Sequence, residues 1–313
     1  MGNPYWENSG VWGSLLKNRD WLILDGAMGT QLEARGADLK NGLWSASLLK
    51  THPDLIKAVH KDYLRAGACI ITSSGYQASL MAFMKNGFTQ EEGIGLIHTS
   101  VDLALEARKE MVEEGIISEP FPLVAISLGP YGAYLADGSE YHGKYGVSYQ
   151  ELVQFHHLGI SLVCDSGADI LAFETIPSLE EAKAIVEALE FFKKTKAWIS
   201  FSCRNETEVS HGESIKSCVK IIEKSSQILG IGINCTAPEY MESLVRIAAN
   251  ATQKPILAYP NKGDQYDADK KEWKEGSSHL SFREGAEIWL KAGAKIIGGC
   301  CGTTPENIKE LVL

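Results

Sequence analysis

The stretch AGAKIIGGCCGTTP, residues 292–305, contains the unit from which the fold is built. A small-Gly-Ala turn leads directly into a short apolar run, and the run ends in two glycines, two cysteines and a helix start at Pro305. Gly293 stands where a helix end commonly needs a left-handed residue, and similar turns recur at 66–68 and 166–168. This pattern predicts helices that return quickly to strands.

Eight short apolar runs of this kind are rich in Ile, Val, Leu and aromatic residues and do not alternate strictly with polar residues, which is typical of parallel strands buried on both faces. They are predicted as strands at 21–25, 69–73, 123–128, 170–174, 197–202, 229–234, 255–259 and 295–299. The helices between and after them are predicted at 53–66, 91–114, 149–165, 178–192, 214–226, 238–251, 282–292 and 305–312. Eight such units predict an α/β protein, a single (β/α)8 TIM barrel occupying 1–313 as one domain.

Two of the predicted helices contain residues with a candidate structural role. Ser178-Leu179-Glu180-Glu181 has the spacing of a capping box, in which the Ser and Glu side chains each bond the other residue's backbone N–H. His156 and His157 lie in the middle of a predicted helix. Because the histidines show no metal-ligand spacing, we interpret this pair as structural.

Composition narrows the class of protein. The chain has 313 residues and a net charge of −10, with no Lys/Arg run of the kind expected of a nucleic-acid binder. No segment reaches the ~18 apolar residues of a membrane span, and the start lacks the pattern of a signal peptide. Seven cysteines without a secretion signal favour free thiols or metal ligands in a reducing, cytoplasmic setting.

Long strand-to-helix loops mark the face on which an active site is expected. The loops at 129–148, 203–213 and 261–280 are much longer than the helix-to-strand turns. In (β/α)8 barrels the active site lies at the C-terminal ends of the strands, where these loops lie.

Three cysteines follow predicted strand ends on that face. Cys235 ends the sixth strand, and Cys300 and Cys301 follow the eighth. Adjacent residues on a regular strand point to opposite faces. Cys300 and Cys301 can therefore bind the same ligand only where the strand loses its regular form, which the flanking glycines permit. Three thiolates with an open fourth position fit a catalytic Zn²⁺ site. Buried packing and a redox pair are the alternatives. The remaining cysteines are interpreted as packing residues: Cys69, Cys164, Cys203 and Cys218.

Two acidic residues, Asp25 and Glu174, end the first and fourth predicted strands. At the mouth of an apolar barrel they are candidates to bind a substrate ammonium, with a structural ion pair or a helix cap as the alternatives. Gly26 and Thr30, in the turn after the first strand, are candidate donors to a carboxylate.

Aromatic residues fall in the same loops, and loop packing is the alternative reading for each of them. The residues are Trp44, Tyr76, Tyr131, Tyr134 and Tyr259. Because ring faces attract cations, the cluster suits a sulfonium or quaternary ammonium methyl donor.

Taken together, these motifs resemble the homocysteine S-methyltransferase family. The matching segments occur in family order along nearly the whole chain: 24–30 (LDGAMGT), 65–68 (RAGA), 174–175 (ET), 232–235 (GINC), 259–261 (YPN) and 298–303 (GGCCGT). The resemblance implies the barrel fold and a zinc site on Cys235, Cys300 and Cys301. It also implies a homocysteine site, for which the candidates are Asp25, Gly26, Thr30, Glu174 and Asn234.

The segment GPYGAYLADGSEY, residues 129–141, resembles the branch of the family that uses S-methylmethionine or sometimes S-adenosylmethionine. The chain also ends soon after the cysteine pair, unlike the betaine-using branch. For this donor the candidates are an aromatic wall of Trp44, Tyr76, Tyr131 and Tyr134, and an ammonium-binding Glu140, with Asp137 beside it. The expected partners are thus two small molecules, homocysteine and a sulfonium donor, with no nucleic acid or membrane.

The implied reaction is an in-line methyl transfer. Homocysteine sulfur becomes the fourth zinc ligand, loses its proton and attacks the donor methyl group. Two alternatives remain open: a betaine–homocysteine methyltransferase with the same zinc site, and a Schiff-base aldolase for which Lys262 is the candidate lysine.

Overall fold

The computed structural model describes residues 15, 19–39, 43–263, 265–267, 272–274 and 281–312. Its strands are β1 (Leu22–Ile23), β2 (Ile70–Thr72), β3 (Leu123–Leu128), β4 (Ile170–Ile176), β5 (Ala197–Phe201), β6 (Ile228–Asn234), β7 (Ile256–Tyr259), β8 (Gln265–Asp267), β9 (Glu272–Lys274) and β10 (Ala294–Ile297). Eight of these form one parallel sheet, and β8 and β9 form a separate antiparallel hairpin that the sequence did not predict.

The parallel sheet closes into a barrel. Its strand order is β1-β10-β7-β6-β5-β4-β3-β2, and the two ends meet through a parallel bridge between Leu24 and Ile70. The Asp25 N–H donates to the Ile70 carbonyl at 3.0 Å across this closure. The predicted (β/α)8 barrel is therefore confirmed, and all eight predicted strands overlap observed ones.

Helices connect the strands. They are α1 (Met28–Ala34), α2 (Leu48–Thr51), α3 (Pro53–Arg65), α4 (Leu80–Lys85), α5 (Gln90–Glu113), α6 (Tyr131–Leu135), α7 (Tyr149–Val163), α8 (Leu179–Leu189), α9 (Ile215–Ile222), α10 (Pro238–Ala249), α11 (Phe282–Ala292) and α12 (Pro305–Lys309), with 3₁₀ turns at Trp44–Ser47 and Ser139–Tyr141. The eight predicted helices are present. The four that were not predicted are short and lie in strand-to-helix loops, where packing rather than propensity must stabilise them.

The apolar strands fill the barrel. Every residue of β4 and β5 is buried, and Phe173, Trp198 and Phe201 are among the largest fully buried side chains. Each such side chain contributes about 1.5–3 kcal/mol of burial free energy. None of the helices in the described part of the chain is long and apolar enough to cross a membrane.

One predicted helix start differs from its expected form. Ser178 caps α8, because its hydroxyl accepts a bond from the Glu181 N–H at 3.1 Å. The Glu181 side chain does not return the bond to Ser178. The predicted capping box is therefore only half formed, because the Glu181 carboxylate accepts hydrogen bonds from other residues instead.

Candidate active site

Three thiols converge at the mouth of the barrel. Cys235, Cys300 and Cys301 are, among the described residues, the one group of three His, Cys, Asp or Glu side chains suited to a metal, with their sulfurs within 4.8 Å of one another. The Cys301 sulfur lies 3.9 Å from that of Cys235 and 4.0 Å from that of Cys300. In a tetrahedral Zn²⁺ site with Zn–S bonds of about 2.3 Å, sulfurs are roughly 3.8 Å apart. The donor set and its spacing therefore fit such an ion.

The end of β10 allows two adjacent cysteines to share this site. The strand stops at Ile297, and Cys301 already lies in a turn. A Cβ on Gly298 would come within 2.6 Å of the Leu24 Cβ, and one on Gly299 within 2.3 Å of the Thr303 hydroxyl. Glycine is therefore required where the backbone passes so close to its neighbours.

The thiols interact electrostatically. Hydrogen bonds from Cys300 and Cys301 hold the pKa of the Cys235 thiol well below its usual value. Donating this bond to Cys235 raises the pKa of the Cys301 thiol. The Tyr141 hydroxyl oxygen lies 3.7 Å from the Cys235 sulfur. The cluster thus favours a thiolate at Cys235, the form that binds metals.

Asp25 and Glu174 are buried carboxylates on the cavity wall. Thr72 donates to Asp25 through its N–H at 2.7 Å and its hydroxyl at 3.2 Å, and Ser127 donates to Glu174 at 2.5 Å. Burial raises the pKa of Glu174 to about 7. Burial, and then the charge of Glu174, raise the pKa of Asp25 well above its usual range. A cation between the two would stabilise both ionised forms.

Asn234 holds a strained backbone in place. Its side-chain oxygen accepts from the Thr175 N–H at 2.8 Å, and its amide nitrogen donates to the Thr175 hydroxyl at 2.9 Å. Thr175 has φ +61° and Cys235 has φ +48°, a left-handed conformation that is uncommon outside glycine. Asn234 therefore ties the end of β4 to the residue before a thiol. Its predicted contact with homocysteine stays a prediction.

The thiols and carboxylates line one cavity of about 320 Å³. Gly26 and Thr30 lie on its wall as well, and the Thr30 hydroxyl accepts a bond from the Gly302 N–H at 3.0 Å. All eight residues predicted for the metal and homocysteine sites thus lie on this one wall: Asp25, Gly26, Thr30, Glu174, Asn234, Cys235, Cys300 and Cys301.

Part of the predicted donor site lies on the same wall. Tyr76, Asp137 and Glu140 line the cavity. Glu140 is buried with its Oε2 lacking a hydrogen-bond partner, and burial raises the pKa of this carboxyl to about 7. Tyr141 also lines the cavity. Tyr141 was not predicted as a site residue from the sequence, although its place beside Glu140 was an available signal.

Two other predicted donor residues, Tyr131 and Tyr134, do not lie on this wall. Tyr131 packs against Tyr134 and Phe155, with ring centroids 5.3 and 5.2 Å away, and neither tyrosine lines the cavity. The reason is that α6 directs these rings toward α7, which contains Phe155. Trp44 begins a 3₁₀ turn, and its side chain lies outside the described part of the structure.

Comparisons with known proteins agree with this geometry. The family model for homocysteine S-methyltransferase matches residues 22–312. The chain is 46% identical over 293 residues to homocysteine S-methyltransferase YbgG of Bacillus subtilis, covering 93% of each chain. It is 44% identical to selenocysteine Se-methyltransferase of Brassica oleracea var. italica, covering 93% of this chain and 88% of that one. The metallated form of the homocysteine methyltransferase MmuM from Escherichia coli matches with TM-score 0.86 at 39% identity, covering 95% and 97% of the two chains.

The family model and these relatives show that the chain belongs to the homocysteine S-methyltransferase family. Its barrel, with thiols and carboxylates at the strand ends, is consistent with this. It is a methyltransferase of the homocysteine S-methyltransferase type. Its three thiols form a possible metal site, and the Escherichia coli relative has been solved in a metallated form.

Proposed function

We propose that this chain transfers a methyl group from S-methylmethionine to homocysteine, with Zn²⁺ held by Cys235, Cys300 and Cys301. The observation that supports it best is a cluster of three thiols on the wall of a cavity that also contains two buried carboxylates. Thiolates suit Zn²⁺, and three protein ligands leave a position for a substrate sulfur.

The protein's own groups position the acceptor. Bound zinc would supply a fourth ligand position at which a substrate thiol is held as its thiolate. Asp25 and Glu174 would accept hydrogen bonds from the homocysteine ammonium, which favours their ionised forms. Gly26 and Thr30 would lie near its carboxylate. No base on carbon is needed, so the main contribution of the cavity is to align sulfur and methyl group and to exclude water.

The wall formed by residues 137–141 favours a donor with an amino-acid head. Tyr76 and Tyr141 present aromatic rings suited to a sulfonium. Asp137 and the Glu140 carboxylate, whose Oε2 has no hydrogen-bond partner, suit an ammonium group. Betaine has no ammonium hydrogens to donate, and its carboxylate would be repelled by these residues. S-adenosylmethionine has the same head but must also fit its adenosyl group.

The cytoplasm is the compartment we propose for this activity. All the described cysteines are free thiols, and a reducing compartment keeps them so. The alternative of a Schiff-base aldolase lacks support, since Lys262 is exposed and is not part of the cavity wall.

A competition assay tests the donor. Zinc-loaded enzyme would receive homocysteine and equal concentrations of S-methylmethionine, S-adenosylmethionine and betaine, and the methyl transfer from each would be scored by isotope label. We expect S-methylmethionine to exceed betaine by at least about 100-fold, as expected when an ammonium contact is lost from a buried polar site, with S-adenosylmethionine between them.

The Glu140→Gln variant provides the control for this assay. It should lower use of S-methylmethionine by about tenfold, because one charge-assisted hydrogen bond is weakened, and leave betaine use unchanged. Betaine equal to or better than S-methylmethionine in the wild type would refute the donor assignment without affecting the zinc and homocysteine sites.

A further inference from the structure

Glu181 is a fully buried carboxylate that does not line the substrate cavity. It lies at the third position of α8, where a capping box would direct it back to the Ser178 N–H. At three other helix starts with the same Ser/Thr-x-x-Glu pattern the bond is returned at 2.8–2.9 Å, with Thr89, Ser148 and Ser281 as the capping residues. Glu181 therefore departs from a pattern that the chain otherwise follows.

The Glu181 carboxylate accepts three hydrogen bonds from outside its own helix. The donors are the Tyr131 N–H at 2.6 Å, the Tyr145 hydroxyl at 2.8 Å and the His156 Nε2 at 3.0 Å. Bonds of this kind to a carboxylate are stronger than those between neutral groups. Two of these three hydrogen-bond donors, Tyr131 and Tyr145, are the first and last residues of 131–145. We call 131–145 the donor segment, because it contains the proposed contacts with the methyl donor. One buried carboxylate thus holds both ends of this segment.

Close packing connects these anchored ends to the cavity. The rings of Tyr131 and Tyr145 pack against each other with centroids 5.5 Å apart. A Cβ on Gly132 would lie 2.4 Å from the backbone nitrogen of Glu140, so the two backbones are in direct contact. Glu140 lines the cavity. A displacement of Tyr131 would therefore be transmitted through Gly132 to the cavity wall.

We infer that Glu181 is a positioning residue for the methyl donor, which it serves by holding the donor segment so that Glu140 and Tyr141 line the cavity. This inference rests on the proposed function in taking those two residues as donor contacts. The thiols and Asp25 follow β6, β10 and β1, outside this segment, and the Tyr141 hydroxyl lies 3.7 Å from the Cys235 sulfur. Loosening the segment should therefore affect the methyl donor more than the metal or homocysteine. His156, interpreted from sequence as structural, is one of the groups that fix the carboxylate.

Tyr145→Phe tests the positioning role of Glu181 with little change in side-chain volume. It removes only the hydroxyl that donates a hydrogen bond to Glu181. Tyr149→Phe is the matched control, because the Tyr149 hydroxyl, at the start of α7 and outside the donor segment, donates to Glu187 of the same helix α8 at 2.8 Å. In zinc-loaded Tyr145→Phe we expect the KM for the donor to rise about three- to tenfold, with the KM for homocysteine and the zinc content within about twofold of wild type. Glu181→Gln should change the same quantities in the same direction.

Amide hydrogen exchange provides a second measurement that does not depend on turnover. Exchange over 131–145 should be faster in Tyr145→Phe and Glu181→Gln than in wild type and Tyr149→Phe. If the wild type does not use S-methylmethionine, the proposed donor is wrong, and the KM test is made with whichever donor the enzyme uses. Unchanged exchange over 131–145 would overturn the inference, as would a rise in both KM values together.

Discussion

Two acidic side chains of this protein are more than nine-tenths buried, which limits their contact with water. Asp25 and Glu174 lie on the cavity wall, and no Lys or Arg forms a salt bridge with either of them in the described structure. Burial raises the pKa of both carboxyls. Such an arrangement costs stability in the empty protein and favours a bound cation, which fits an amino-acid substrate.

This arrangement predicts a pH dependence for homocysteine. Glu174 has a pKa raised from 4.5 to about 7, so it loses its charge, and its attraction for an ammonium, as the pH falls through 7. Between pH 8 and pH 6, kcat/KM for homocysteine should fall by about tenfold more in wild type than in Glu174→Gln, which has no charge to lose. Zinc content should be unchanged in the variant. Parallel pH profiles for the two proteins would contradict the assignment.

The proposed metal site lies where strands end. Cys235 follows β6 in a left-handed conformation, and Asn234 holds Thr175, at the end of β4, in the same conformation. Backbone strain of this kind costs about 1–3 kcal/mol per residue and persists only where the surroundings enforce it. The strand ends therefore bring the sulfur of Cys235 to the other two sulfurs at the expense of local stability.

Replacing any of the three cysteines should remove the metal. In Cys235→Ser, Cys300→Ser and Cys301→Ser we expect less than about a tenth of the wild-type zinc content and turnover, because each change leaves two protein thiolates. Elemental analysis after gel filtration measures this. Cys218→Ser, on α9 and fully buried, is the control that should retain zinc. Full zinc content in any of the three variants would exclude that cysteine as a ligand.

At the scale of the whole molecule, one buried histidine links stability to pH. His60 on α3 is fully buried, and neither ring nitrogen has a hydrogen-bond partner. Burial lowers its pKa from 6.5 to about 4. In the unfolded chain His60 takes up a proton below pH 6.5, whereas in the folded protein it does so only near pH 4. The stability from this group is therefore present above pH 6.5 and lost as the pH falls toward 4.

His60→Leu should remove this dependence. From pH 7 to pH 4 the free energy of unfolding of wild type should fall by about 3 kcal/mol relative to that of the variant, since one pKa unit corresponds to about 1.4 kcal/mol. Denaturant unfolding at several pH values measures the difference. His98→Leu, which changes an exposed ring on α5, should follow wild type. If His60→Leu also follows wild type, the histidine does not contribute as described.

Much of the candidate site could be predicted because its residues lie at strand ends. An apolar run followed by Asp25, Glu174, Cys235 or Cys300 identifies both the strand and the face of the barrel, because parallel strands all end on the same side. The placement of Tyr131 and Tyr134 against Phe155, and of Tyr141 beside Cys235, could not be predicted in this way. Those residues lie in a loop whose path depends on contacts with two distant helices.

By itself, the sequence determined the barrel, the order of its elements and the strand ends that contain the thiols and carboxylates, because periodicity, glycine turns and chain order are local properties. Only the tertiary structure decided how the loops are used. The motif at Ser178 predicts a capping box, but the Glu181 carboxylate binds Tyr131, Tyr145 and His156 instead. Buried polar groups are almost always hydrogen-bonded. These three donors lie 25 to 50 residues from Glu181 along the chain, so only the packing of the folded barrel brings them to its carboxylate.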